Sequence, residues 1–329
     1  MSGKILFLKT LNGKLASTPS DKLLFETLCS QGFVVDERSW YHPHPELGPL
    51  TVDILKTYHT ITFIACWDYN LHIEDFESFL KNFIIPARDA GVKVVNCPEL
   101  LLWNSNKVYL KDLENDLGIA IPKTIFVDTA AGDAPLIEDI ISRHQDTHGA
   151  GVVVKPSVSA SGKETYKIPE LGSPTYDPVD AQEKWEKTYR YTRSLSASAK
   201  AMVQPFESAI KRGEFSVIFL GGEYSHTMLK KPAGDNFVAI EEEGATIREL
   251  HGDEVPLEGK EIGRKVLRYV KERFGDGEGW RLGYLRLDGV VNDAGKFVVI
   301  EAEMFEPYVY LDVEGAREGL ERLCKALTE

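Results

Sequence analysis

The sequence predicts a chain of two unlike parts: a parallel α/β unit, then an α+β region built on antiparallel hairpins. Three observations predict this. Over the first hundred residues, apolar β-rich runs alternate with helical patterns through short connections, the pattern of a parallel sheet. In the second half, Gly221-Gly222 separates two β-rich runs, a strong hairpin signal. A second hairpin, residues 284–291 and 296–303 around a turn at 292–295, closes the pattern.

The elements follow in order. Residues 4–9 (KILFLK) read as a buried strand, and 20–31 as a helix with Leu24 and Leu28 one turn apart. Strands are predicted at 33–35, 60–66 and 93–96, with a helix over 74–90. No GxGxxG follows the first strand, which excludes a dinucleotide fingerprint. Residues 105–117 read as a helix ending at Gly118, followed by a strand at 124–127, a helix at 135–145 and a strand at 151–155. The polar stretch 163–190, with Pro169, Pro174 and Pro178, reads as an irregular strand, a loop and a helix from about 179. Strands at 201–206, 214–220 and 223–229 precede a helix at 258–274 and the final hairpin.

At 329 residues the chain is long enough for two or three lobes. It is 43% hydrophobic and 27% charged. No apolar run approaches the roughly 20 residues of a membrane helix. The N-terminus lacks the order of a secretory signal, so a cytoplasmic location is expected. Cys29, Cys66, Cys97 and Cys324 form no CxxC pair and read as buried free thiols. A net charge of −13 argues against broad nucleic-acid binding, although local lysines with a metal can still hold a nucleotide.

Arg286-x-Asp288, followed thirteen residues after the aspartate by Glu301-x-Glu303, is the strongest cluster. Residues two apart on a strand share a face, so the closing hairpin brings three carboxylates together. Such a group calls for a cation, and Mg²⁺ takes carboxylate and phosphate oxygens. Lys155-Pro156, after an apolar strand, leads into a loop with Ser157, Ser159, Ser161 and Gly162, able to cover phosphates with backbone N–H groups, hydroxyls and one positive charge. It is not a P-loop. Lys107 is expected at a helix start, where the helix dipole favours anions. Gln204-Pro205-Phe206 followed by Glu214 suits the edge of a base and a ribose. His42, His44 and His59 sit in or near a proline-rich loop and suggest no metal site. His226 reads as a core histidine, and Glu241-Glu242-Glu243 as a solvated loop.

Taken in order, these parts resemble the ATP-grasp ligases. The resemblance extends to the branch containing the O-ureido-serine cyclo-ligase through Cys66-Trp67-Asp68-Tyr69, Asn96-x-Pro98, Trp103-Asn104-x-x-Lys107-x-Tyr109-Leu110 and Glu301-x-Glu303-x-x-Glu306-Pro307. It implies an ATP-grasp fold behind an N-terminal parallel α/β domain: residues 1–100, a flexible lobe at 101–200 and a metal-binding lobe at 201–329. It also implies that Lys107 and Lys155 contact ATP phosphates, Gln204, Pro205 and Phe206 frame adenine, and Glu214 binds ribose. Lys230 or Lys231 would reach the γ-phosphate. Asp288, Glu301 and Glu303 would hold two Mg²⁺ ions, replaceable by Mn²⁺, and Arg286 would stabilise an acyl phosphate. The implied partner is a small amino-acid-like or dipeptide-like molecule, with no nucleic acid or membrane and with a homodimer left open. The chain departs from the family with Glu303 where many members have asparagine. It departs from the branch in lacking an arginine near 235–238 and in carrying Ile64-Ala65 before the Trp-Asp-Tyr.

Overall fold

The computed structural model describes residues 3–9, 18–44, 46–130, 132–143, 150–160, 162–234, 236–239, 244–275, 280 and 282–329. Ser161 and the acidic run at 241–243 lie outside them.

The first unit alternates as expected: β1 (Lys4–Lys9), α1 (Pro19–Ser30), β2 (Val34–Ser39), a short α2 (Val52–Leu55), β3 (Thr60–Ala65), α3 (Ile73–Phe79), α4 (Ile85–Asp89) and β4 (Lys93–Val95). The strands form a parallel sheet in the order β2-β1-β3-β4. Thr18 and Asp21 close a capping box at the start of α1, each side chain accepting from the other's backbone N–H at 3.1 Å. Alternate residues of β1 face opposite layers: Leu6 and Leu8 join Phe63 and Phe76, while Ile5 and Phe7 join Leu24 and Leu28. The helix expected over 74–90 is α3 and α4 joined by one π-helical turn, Leu80–Ile84.

The helix expected at 105–117 is corrected. The helix there, α6 (Tyr109–Leu117), starts four residues later than expected, a separate α5 (Pro98–Asn104) precedes it, and Lys107 lies in the link between them. Pro98 fits the first helical position of α5, and the Asn106 side chain accepts from Val108 N at 3.2 Å, a local turn that interrupts the helix.

A second sheet contains β5 (Ile125–Asp128), β6 (Val152–Pro156), β7 (Tyr166–Ile168) and β8 (Lys200–Pro205), in the antiparallel order β5-β8-β6-β7. It is backed by α7 (Ile137–Ile141), shorter than expected, and α8 (Pro178–Leu195), whose Trp185 and Tyr189 are buried against Val152, Val154 and Val203.

The third sheet has the order β11-β10-β9-β12-β13, all antiparallel. Its strands are β9 (Glu214–Leu220), β10 (Glu223–Lys231), β11 (Thr246–Leu250), β12 (Tyr284–Val291) and β13 (Phe297–Glu303). α9 (Leu257–Phe274) covers one face. β11 and the closing helix α10 (Arg317–Thr328) have no counterpart in the sequence reading. α10 places Leu323 and Leu327 beside Ile5 and Phe7, which ties this sheet to the first. The expectation of four buried thiols is half met: Cys66 and Cys324 are buried, but Cys97 is half-buried and Cys29 faces solvent on the outer side of α1.

Where α9 crosses the sheet, a Cβ added at Gly263 would lie 2.1 Å from the Phe219 ring. Overpacking of this kind costs about 1–3 kcal/mol, more than the roughly 1 kcal/mol that alanine gains in a helix. Gly263→Ala is therefore expected to lower the urea unfolding midpoint. A raised midpoint contradicts this packing.

Candidate active site

The site is built on one face of the third sheet. Glu214 on β9 sits opposite Lys230 on β10, Asp288 on β12 lies between Ser216 on β9 and Glu301 on β13, and Arg286 faces Glu303. Two breaks in regular pairing create this arrangement. Regular pairing onward from the Gly221-Gly222 turn would set Glu214 against Leu229. A register shift between Tyr224 and His226 sets it against Lys230 instead. Regular pairing from Val291 and Phe297 would set Asp288 opposite Ile300. A shift between Asp288 and Gly289 inserts Ile300 as an extra residue and brings Glu301 opposite Asp288. Bulges of this type re-aim side chains by one position. Gly289 is required there: a Cβ would lie 2.4 Å from Phe297 and 2.6 Å from the Val298 carbonyl.

Asp288 is 3% exposed and fully engaged. The Ser216 hydroxyl and Lys230 Nζ, the latter at 3.3 Å, donate to Oδ1, and Arg286 Nε donates to Oδ2 at 2.8 Å. Burial acts to raise its pKa, but Arg286 and Lys230 outweigh burial and hold it below the usual value. Lys230 also pairs with Glu214. Arg286 reaches Glu303 Oε2 at 2.5 Å and the Tyr308 carbonyl at 3.2 Å. Burial, with the charges of Glu301 and Asp288, pushes Glu303 up to about 7 against the pull of Arg286. Burial and Glu303 likewise push Glu306 well up.

Two lysines face this cluster. Lys107 lies 2.9 Å from Glu301 Oε1 and donates to the Ser159 carbonyl at 2.7 Å. Burial pulls its pKa down, but Glu301 outweighs that and the pKa is raised. Lys155 has no ion pair among the described residues, and burial lowers its pKa to about 8. An unpaired, half-buried ammonium beside a cluster of charges is set up to receive an anion.

These groups line a cavity of about 250 Å³ between the second and third sheets. Lys107, Lys155, Ser159, Gly162, Glu214, Lys230, Arg286, Asp288, Glu301 and Glu303 all reach it. Pro205, Phe206, Ile210 and Phe237 add apolar lining, together with Gln204, which donates to Thr124 Oγ1 at 2.7 Å. Lys167 Nζ lies 3.8 Å from the centre of the Phe206 ring. Two expected residues stand apart. Lys231, next in the strand after Lys230, is exposed and outside the cavity lining. The Ser157 hydroxyl accepts from Lys200 N at 2.9 Å and serves the backbone between β6 and β8. His226 is buried on β10 and also outside the lining; burial lowers its pKa to about 4, so it is neutral near pH 7.

The sequence reading missed how the acidic strand is held. β13 is an edge strand, and its outer backbone groups are taken up by side chains. Asn104 Nδ2 donates to the Ala302 carbonyl at 2.8 Å, and Asn104 Oδ1 accepts from Met304 N at 2.6 Å. The Tyr109 hydroxyl accepts from Ala302 N at 2.9 Å. Asn96 Nδ2 donates to the carbonyls of Met304 and Tyr284 at 2.6 and 3.0 Å. Paired edge groups do not slip, and Glu301 and Glu303 alternate with the residue they clamp. Two buried asparagines ahead of a lysine and a tyrosine were the available signal.

Among the described residues, Asp288, Glu301 and Glu303 form the one metal-capable group, with ligand oxygens all within 4.8 Å of one another. Three carboxylates around so small a space suit a hard divalent cation such as Mg²⁺ or Mn²⁺. No described helix is long and apolar enough to cross a membrane.

No family model matches the sequence, and no curated protein matches it either. Solved structures do. D-cycloserine synthetase DcsG superposes with a TM-score of 0.72 at 20% identity, over 99% of this chain and 100% of that one. The D-alanine–D-alanine ligase from Bacillus anthracis, complexed with ATP, gives 0.64 at 13% identity, over 99% and 96%. The ATP-grasp ligase PsnB, complexed with a phosphomimetic variant of its minimal precursor, Mg and ADP, gives 0.57 at 14% identity, over 99% and 98%. With its parallel sheet, two antiparallel sheets and full-length superposition on these enzymes, the chain has the ATP-grasp fold.

Proposed function

We propose that the protein is an ATP-dependent carboxylate–amine ligase, which activates a small amino-acid-like or dipeptide-like acid as an acyl phosphate and releases ADP and phosphate. The observation that carries this is the convergence of Lys107, Lys155, Lys230, Arg286 and three carboxylates on one cavity that Pro205, Phe206, Ile210 and Phe237 also line. The named neighbours complexed with ATP, and with Mg and ADP, support the same reading. On it, residues 1–100 form the N-terminal domain, 101–200 the mobile lobe and 201–329 the metal-binding lobe.

A carboxylate is a poor electrophile until its oxygen becomes a leaving group. In this reading the base lies against Phe206, with Gln204 and the Pro205 backbone along its edge, and Glu214 takes the ribose. Lys107 and Lys155 draw the phosphates toward the acidic face, where Ser159 and Gly162 close over them. Asp288, Glu301 and Glu303 would hold Mg²⁺, which when bound neutralises phosphate charge during transfer. Lys230 meets the transferring phosphoryl group. Arg286, fixed by Asp288, Glu303 and the Tyr308 carbonyl, points its charge at the oxyanion formed as the amine attacks. Charge neutralised before the reaction costs no reorganisation during it.

The test is product analysis with a panel of amino acids and dipeptides. A ligase yields ADP and free phosphate in equal amounts, whereas ADP alone with a phosphorylated product overturns the assignment in favour of a kinase.

Lys155 gives a pH test of the nucleotide site. Its ammonium is charged below about pH 8 and neutral above. Phosphate binding favours the charged form, so affinity for an ATP analogue is expected to fall as pH rises past 8, at up to about tenfold per pH unit. Lys155→Arg, charged throughout, is expected to flatten the profile. Calorimetry giving one affinity from pH 7 to 10 for both proteins contradicts the role.

A further inference from the structure

The chain carries thirteen more acidic than basic charges, yet one concave surface reverses that balance. At the far end of the third sheet, a pocket of about 430 Å³ opens between α9, α10 and the turn joining β9 to β10. Among the described residues, four cationic side chains line it, Arg268, Lys271, Arg322 and Lys325, against one carboxylate, Glu223. It shares no lining residue with the cavity that holds Asp288. The seven-residue strand β9 runs from one to the other, about 20 Å at about 3.3 Å per residue.

Two features distinguish this pocket from scattered surface lysines. Part of it is fixed in place: Arg322 is half-buried, donates from Nη2 to the Tyr224 carbonyl at 2.9 Å and from Nε to the Leu220 carbonyl at 3.4 Å, so its guanidinium is held across the end of the hairpin. The rest has few counter-ions among the described residues. Arg268 and Lys271 have no ion pair among the described residues, Arg322 meets only the exposed Glu318 at 3.6 Å, and Lys325 only Glu329 at 3.5 Å. Arg264, Arg268 and Lys271 recur one and two turns apart on α9, so the positive stripe continues beyond the pocket. The floor is open at the turn, where a Cβ at Gly222 would meet nothing within 4 Å.

Like charges gathered in a concave surface repel one another and focus a positive field, which an anion relieves. Planar arginine forks match phosphate oxygens in pairs, and lysines add point charges. We propose that this pocket is a second anion site, separate from the catalytic cleft, for a ligand bearing two or more phosphate charges. Free polyphosphates and the phosphate end of a larger molecule share that chemistry.

The probe is inorganic tripolyphosphate, titrated calorimetrically into the whole protein with EDTA present. Wild type is expected to bind it saturably, and Arg268→Glu with Lys271→Glu is expected to remove one equivalent or to weaken that equivalent at least about tenfold. Both residues are exposed, so the melting temperature should hold. The cleft is controlled for by repeating the comparison in a Lys107→Ala, Lys155→Ala background, where the same difference should persist. Binding that is unsaturable, unchanged by the α9 substitutions, or lost with the cleft substitutions alone overturns the site. If adenosine diphosphate competes equally for the equivalent that the α9 substitutions remove, its source is a nucleotide; if only tripolyphosphate binds there, it is a free polyphosphate. Either result supports the site.

Discussion

Asp288→Asn is expected to remove measurable turnover and to destabilise the fold by about 3–5 kcal/mol, the cost of breaking a buried ion pair from one side. Asp288 is the shared counter-ion of Arg286 and Lys230, with Ser216 completing its hydrogen bonds. Asparagine keeps the shape but leaves the buried Lys230 and the half-buried Arg286 with less negative charge between them. Glu303 still faces Arg286 and Glu214 still faces Lys230, which places the loss toward the lower end of that range. The pH dependence follows in sign. The folded-state pKa of Asp288 is depressed below 3.8, so its contribution is fully present above that value and is lost as pH falls through the lower, folded one. The gap in stability between wild type and variant should therefore be constant near neutrality and close only in strong acid. Urea unfolding at neutral pH and near pH 3 checks both statements, and equal midpoints at neutral pH contradict them.

Glu301→Ala is expected to separate activity from folding. Glu301 stands at the outer side of the carboxylate group and pairs with Lys107, which keeps its bond to the Ser159 carbonyl when the carboxylate is removed. The Glu301 side chain is about a quarter exposed but Lys107 is buried, so losing the carboxylate is expected to cost about 1–3 kcal/mol, less than the loss at Asp288, and the protein still folds. Turnover should fall by about 10²–10³-fold, the usual scale for removing one group that meets transition-state charge. Full activity in a folded Glu301→Ala protein removes the assignment of the acidic hairpin.

The two substitutions differ because the carboxylates, though neighbours, are held differently, and only part of that was legible in the sequence. Strand identity was legible: the alternation in residues 284–291 and 296–303 and the Gly221-Gly222 turn locate the four strands that carry the site. The residue types in Arg286-x-Asp288 and Glu301-x-Glu303 were legible as well. Register was not. A regular hairpin would set Asp288 opposite Ile300 and turn Glu301 to the apolar face behind Leu287, and the bulge at Ile300 reverses this. The bulge near Ser225 likewise decides that Lys230, and not Lys231, enters the cleft. A one-residue slip flips every side chain of a strand, and composition leaves little trace of it. Lys107 was found for its charge but placed on the wrong element, because the turn at Asn106 depends on a single side-chain hydrogen bond. α10 was missed despite apolar residues at Leu320, Leu323, Cys324 and Leu327, a helical spacing that could have revealed it.

The most direct test of the ligase reading is capture of the activated acid. With an acid identified by thermal-shift screening, ATP, Mg²⁺ and hydroxylamine in place of the amine, the protein should form a hydroxamate in step with phosphate release, and Glu301→Ala should form it about 10²–10³-fold more slowly. ATP consumed without hydroxamate, or hydroxamate formed equally by the variant, would contradict acyl-phosphate chemistry at this cleft.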